Sequence, residues 1–396
     1  MVKTRPWNFP AAMVLAAASW HCGEAESENG ARDENANGAT TSGGGTSPPP
    51  PDADDRTLDF DDPTSDPPAL RPELVALTYI GGAGDQYTES VAFDADGGVT
   101  VSGTGWTLRW TAAELAAAAN DGASAGTLDG DVATEGDVAT EGRPSLPGAP
   151  GRAYDDPRIG LTFTVGYRQA GNLQMPIFRA FEDDVRVWAL WGHAVADAQD
   201  ASLGADTRCY RAWGMPFGRI GVMCWTDGGN SVLARDPRNL MTDPGWTDGA
   251  WQRSAGGMSS LLALVDPSDG GRVVSGTFMA AHVGHLTVDA WGRVYMGRVA
   301  RSRDGGDDPS DTFGVGAETG ASGVLILDQG LQRPLFNARL GGTCEDGAQH
   351  FNALAVHDGI LVMGGTTCAA DLGTIHAVQP TPGGGQDAMV AVVRLW

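Results

Sequence analysis

The feature that most constrains this chain is a short reversal that recurs with alternating apolar residues on either side. Asp96-Gly97-Gly98-Val99-Thr100-Val101-Ser102-Gly103-Thr104 has a near copy in Asp269-Gly270-Gly271-Arg272-Val273-Val274-Ser275-Gly276-Thr277. Both read D-G-G-x-x-V-S-G-T. Asp227-Gly228-Gly229 repeats the first half, and Asp289-Ala290-Trp291-Gly292 and Asp358-Gly359 are looser versions. Asp-Gly accepts the backbone angles of a tight hairpin turn. Val-x-Val beside it places alternate side chains on one buried face of a strand. The turns recur at multiples of about 22 residues, and two hairpins then make a unit of about 44, the size of a four-stranded propeller blade.

The expected architecture is therefore all-β, a β-propeller of six or seven blades over residues 73–396. A β-sandwich or an open β-solenoid is the alternative arrangement of the same hairpins. Composition agrees: Gly and Pro number 57 and 23 of 396 residues, a share near double the usual one of roughly 12%. A carboxy-terminal strand from Ala388 to Trp396 is placed to complete the blade begun by Leu74 to Ile80 and close the ring. Residues 158–257 carry this reading on turn spacing alone.

One stretch breaks the pattern. Thr111 to Ala119 reads as a short helix ended by Asn120-Asp121-Gly122. Asp121 to Asp156, with a tandem G-D-V-A-T-E, has no apolar periodicity and is expected to be a disordered insertion.

The amino terminus reads as an address. Lys3 and Arg5 precede the apolar run Ala11 to Ala18, which is too short to span a bilayer about 30 Å thick and has the layout of a secretory signal peptide. Cys22 follows after Ser19-Trp20-His21. Residues 23–72 are acidic and rich in Gly, Ser and Pro; with few large apolar side chains they are expected to form a disordered tether. Four cysteines remain, expected to pair locally as disulfides Cys209–Cys224 and Cys344–Cys368 in an oxidising compartment.

Two resemblances add to these readings. The run ending at Cys22 resembles the lipobox of bacterial lipoproteins, although Ser19 and His21 stand where that pattern has Leu and a small residue. It implies a diacylated Cys22 and a lipid-anchored protein of the cell envelope, at the outer membrane or outside the cell. Thr78-Tyr79-Ile80-Gly81-Gly82-Ala83-Gly84-Asp85 and Gly384-Gly385-Gln386-Asp387-Ala388-Met389-Val390-Ala391 resemble the start and end of the bacterial SBBP repeat. That implies a seven-bladed propeller.

Charge excludes some partners. With 50 acidic against 26 basic residues the formal charge is −24, which repels nucleic acid and leaves membrane attachment to the anchor. The chain is expected to be monomeric.

Candidate sites are few. Asp304, Asp307, Asp308 and Asp311 crowd one loop and offer oxygen ligands for calcium, without the spacing of a known calcium loop. Trp188, Trp191, Trp213 and Trp225, with Trp246 and Trp251, form an aromatic-rich stretch suited to stacking on a glycan. His282, His285 and His350 are the only imidazole group worth weighing for a metal, and strand alternation does not converge His282 with His285. Asp94, Asp96, Asp227 and Asp269 read as turn residues rather than catalytic acids. No catalytic motif is present. The function expected is a surface-displayed binding or scaffold module for a glycan or protein; the alternative is a secreted propeller hydrolase or lyase acting on polysaccharide.

Overall fold

The computed structural model describes residues 66–82, 84–103, 105–121, 126–129, 153–170, 173–191, 205–227, 232–233, 235–238, 249–252, 259–279, 283–299, 311–313, 322–340, 342–344 and 349–396. The signal peptide, Cys22 and the tether residues up to 65 lie outside them.

Among the described residues the chain is all-β apart from α1 (Ala112–Asp121) and two 3-10 turns. The strands form five sheets, numbered here in chain order. Sheet I holds β2 (Thr88–Phe93), β3 (Val99–Gly103), β4 (Trp106–Trp110) and β5 (Thr127–Asp129). Sheet II holds β6 (Ala153–Asp156), β7 (Leu161–Ala170), β8 (Leu173–Glu182) and β9 (Val185–Leu190). Sheet III holds β10 (Thr207–Gly214), β11 (Ile220–Thr226), β12 (Ser259–Asp266) and β13 (Arg272–Met279). Sheet IV holds β14 (Val283–Val288), β15 (Val294–Val299), β17 (Ser322–Leu327) and β18 (Pro334–Leu340), with the short β16 (Asp311–Phe313) parallel to β18 at its edge. Sheet V is built from both ends of the chain: β19 (His350–His357), β20 (Ile360–Thr367), β21 (Asp387–Arg394) and, outermost, β1 (Glu73–Ile80).

In sheets I to III consecutive strands lie side by side and antiparallel, each sheet a meander, and sheet IV does the same but for the added β16. Sheet V follows the same order, with its fourth strand supplied by the amino terminus. β1 and β21 pair from Glu73↔Arg394 to Ile80↔Ala388, as expected for the terminal strands.

Strand alternation explains how the sheets stack. A strand sends successive side chains to opposite faces. In β12, Leu261, Ala263 and Val265 enter a core shared with Phe163, Phe178 and Leu190 of sheet II. Leu262 and Leu264 enter one shared with Leu286, Met296 and Leu325 of sheet IV. In β21, Met389 and Ala391 face Tyr295 and Ile326 of sheet IV, whereas Ala388 and Val390 face Val101 and Leu108 of sheet I. The apolar runs SSLLALV and DAMVAVV are thus strands buried on both faces between neighbouring sheets. Each fully buried Leu or Val is worth about 1.5–3 kcal/mol. The arrangement is propeller-like.

Two expectations change. Five sheets stand among the described residues where the turn spacing suggested six or seven blades. The matching D-G-G motifs sit in different connections: Asp96 lies between the first two strands of sheet I, and Asp269 between the last two of sheet III. Their spacing therefore does not measure a blade. The insertion is also shorter than Asp121 to Asp156, because Thr127–Asp129 pairs with β4 and Ala153–Asp156 with β7. These strands are too short to show alternation in sequence. The region 158–257, where turn spacing alone was the guide, is β as expected: its described residues form β7 to β11.

The helix forms where expected. Thr111 N–H donates to Glu114 Oε2 at 2.8 Å and Glu114 N–H to Thr111 Oγ1 at 3.2 Å, a reciprocal cap. Both disulfides form locally, Cys209–Cys224 and Cys344–Cys368, as in a protein folded in an oxidising extracellular or envelope setting. No helix among the described residues is long and apolar enough to cross a membrane.

Candidate functional site

The aspartates of the turns hold backbone. Asp94 Oδ1 accepts from Asp96 N–H at 3.0 Å and Gly98 N–H at 2.8 Å. Asp266, Asp289 and Asp328 do the same for their own turns. In sheet III it is therefore Asp266, not Asp269, that holds the turn, and Asp269 pairs with Arg272. Their carboxylates are spent on amides, in the manner of Asx turns.

Asp289 does more. It also accepts from Arg293 Nε at 2.5 Å and from the Tyr295 hydroxyl at 2.8 Å, and all three are buried. Burial beside that carboxylate pushes the Tyr295 hydroxyl well up. The Arg293 guanidinium lies between Trp291 and Trp396, 5.1 and 4.9 Å from their ring centroids, and donates to the Pro68 carbonyl at 3.0 Å. This group ties both chain ends to sheet IV.

A different feature recurs at the first strands, each of which forms an edge of its sheet. In β2, Thr88 pairs with Gly103 and Ser90 with Ser102, so Glu89 is an extra residue. Tyr210 is extra in β10, Gly284 in β14 and Asn352 in β19. Four of the five first strands therefore carry a bulge early in their length. A bulge takes one residue out of the ladder and re-aims its side chain, and bulges concentrate beside functional sites.

Residues at or next to these bulges are bonded between sheets. Asn352 Nδ2 of sheet V donates to the Thr88 carbonyl of sheet I at 2.6 Å. Arg211 Nη1 of sheet III meets His285 Nε2 of sheet IV at 2.9 Å. Together they make a rim bearing Glu89, Tyr210, Arg211, His285 and Asn352. At the junction of sheets III and IV the rim carries Arg208, which stands opposite Trp225 in the ladder. Its Nε donates to the Tyr210 hydroxyl at 3.1 Å, and its guanidinium carbon lies 5.3 and 4.9 Å from the rings of Tyr210 and Trp225.

Some of the described arginines are ion-paired and others are not. Arg158, Arg272, Arg293, Arg333 and Arg394 each face a carboxylate. The half-buried Arg208 faces none among the described residues.

The chain is similar in fold to a solved luciferin-regenerating enzyme at 8% sequence identity, over 83% of this chain and 98% of that one, with a TM-score of 0.27. No protein-family model and no curated protein matches it.

The sequence candidates are scattered. Trp191 and Trp213 are buried in two different cores, so their ring faces are covered and neither serves a glycan. Trp188 packs on Phe163 and Phe178, its Nε1 donating to the Pro267 carbonyl at 3.3 Å. Of the four, Trp225 alone belongs to the rim. Asp304, Asp307, Asp308 and Trp246 lie outside the described residues, as does His282; Asp311 opens β16. His285 meets Arg211, and His350 begins β19. Among the described residues no group of three His, Cys, Asp or Glu could hold a metal ion. The rim itself was missed, because a bulge leaves no mark in sequence; Arg208 beside Tyr210 was the nearest hint.

A last carboxylate lies where β21 begins. Asp387 is buried beneath Gly81, where any Cβ would collide with its Oδ1. Burial pushes its pKa up to about 6 against the opposing amides of Gly383 and Gly384, and Oδ1 has no hydrogen-bond partner.

Proposed function

We propose that this is an exported, lipid-anchored surface protein whose five sheets close into a propeller and which binds a ligand at the bulged rim of their first strands. The observation that carries the reading is the bonding between sheets of residues at or beside the bulges, Asn352 to Thr88 and Arg211 to His285. First strands that meet this way surround a common axis, and a common axis is where a propeller gathers residues from several blades. Four sheet-to-sheet cores support the closed ring; the remaining junction, between sheets I and II, follows a connection largely outside the described residues. On this reading the described residues supply five blades, where the SBBP resemblance implies seven. The two segments that carry that resemblance are partners in β1 and β21, which supports reading them as the two ends of one repeat.

The anchor rests on Cys22 and the acidic tether after it, and the two disulfides fit an envelope location. Cys22→Ala should move the protein from the membrane to the soluble fraction and abolish metabolic labelling with an alkynyl fatty acid. Unchanged labelling would refute the anchor. For binding, the full chain is screened against neutral and acidic sugars by thermal shift. A ligand at a hundredfold excess over its dissociation constant stabilises by about 2.7 kcal/mol. The shift should vanish in Tyr210→Ala and Asn352→Ala. No shift with any sugar, or shifts that both variants keep, would refute the rim as a binding site.

A further inference from the structure

Resting on the rim reading, we infer that the rim's ligand is a sugar acid and that Arg208 receives its carboxylate. Arg208 is a half-buried cation without a carboxylate partner among the described residues, in a chain where acids outnumber bases 50 to 26. Its position is set in advance. Tyr210 and Trp225 cover its guanidinium with their rings, and the Tyr210 hydroxyl takes Nε. Those contacts engage the guanidinium and its Nε, and leave the two terminal nitrogens without a hydrogen-bond partner among the described residues. Two parallel N–H donors match the two oxygens of one carboxylate, a geometry lysine cannot supply. Aromatic contact holds the fork still, so little freedom is lost on binding.

The remainder of the rim selects what carries the carboxylate. A formal charge of −24 repels polyanions at long range, so an acidic peptide or polyphosphate is disfavoured and a ligand with one negative charge is favoured. The half-buried Tyr210 hydroxyl and Arg211 suit hydroxyl groups. A single carboxylate on a polyhydroxylated ring describes a uronic acid.

The test is a calorimetric titration of the full chain with galacturonate, methyl galactoside and acetate, repeated on Arg208→Lys and on Arg186→Lys, a surface change in the exposed part of β9. Galacturonate should bind at least tenfold more tightly than either of the other two. Arg208→Lys should weaken it at least tenfold while its melting temperature stays at the wild-type value, and Arg186→Lys should change nothing. Galacturonate binding that survives Arg208→Lys would overturn the inference. So would preference for methyl galactoside; if that preference is lost in Asn352→Ala, the rim remains a binding site and only the ligand class fails. Absence of binding by all three compounds overturns the inference, and the wider sugar screen then decides the rim.

Discussion

Tyr79 of β1 stands opposite Met389 of β21, so the first and last strands of the domain are hydrogen-bonded neighbours in one sheet. The Tyr79 hydroxyl donates to the Ala369 carbonyl at 2.9 Å and accepts from Leu372 N–H at 2.9 Å, fixing the connection between β20 and β21 to the same strand. Because β21 is buried on both faces, its loss opens cores with sheets I and IV together. Met389→Ala is expected to cost about 2–5 kcal/mol of stability, read as a lower urea midpoint with an unchanged slope. A cost under about 0.5 kcal/mol would mean that the seam contributes little.

Removing one partner of the Asp289–Arg293 pair leaves the other charge buried. Asp289→Ala should lower stability by about 3–5 kcal/mol, more than Asp269→Ala at its exposed pair with Arg272, where about 0–1 kcal/mol is expected. Paired denaturation curves check the contrast.

Asp387 gives a pH dependence of definite sign. Its folded pKa lies near 6, above the ordinary carboxylate value of 3.8. The folded state therefore holds the proton more tightly than the unfolded chain. This contribution to stability is full at low pH and is lost as pH rises from about 4 to about 6. A shift of roughly two units corresponds to about 2–3 kcal/mol. Asp387→Asn should flatten that part of the stability–pH profile, because an amide keeps the acceptor for Gly383 N–H without the charge. An unaltered profile would contradict the assignment.

Cys344–Cys368 closes a loop with a sequence separation of 24. Replacing both with Ser should reduce stability by about 3 kcal/mol on the loop-entropy estimate, measured by thermal unfolding without reductant. Equal melting of mutant and wild type would show that the loop is held by its other contacts.

Much of this fold was legible because turn chemistry and strand alternation are local. Asp94, Gly97 and Gly98 make a hairpin wherever they stand, and the apolar faces of Val99 and Val101 follow. What was not legible was which hairpin each motif makes. Asp96 and Asp269 head identical patterns in different sheet positions, since an Asp-Gly turn is indifferent to which strands it joins. Packing was equally hidden: Trp191 and Trp225 are both buried, yet one fills a core and the other lies against Arg208. The rim depends on register, and Tyr210 becomes a bulge only because Cys209 and Arg211 pair with the adjacent residues Cys224 and Met223.

The proposed ring rests on β1 and β21 sharing one sheet, and amide hydrogen exchange of the full chain tests this directly. If the two ends lock the domain, the amides of Leu77 and Ala391 belong to the most protected class and exchange at the same free energy as Leu262 in β12 and Leu325 in β17. Exchange of β1 and β21 several kcal/mol more easily than those central strands, by local fraying, would mean that the ring is not held at this seam.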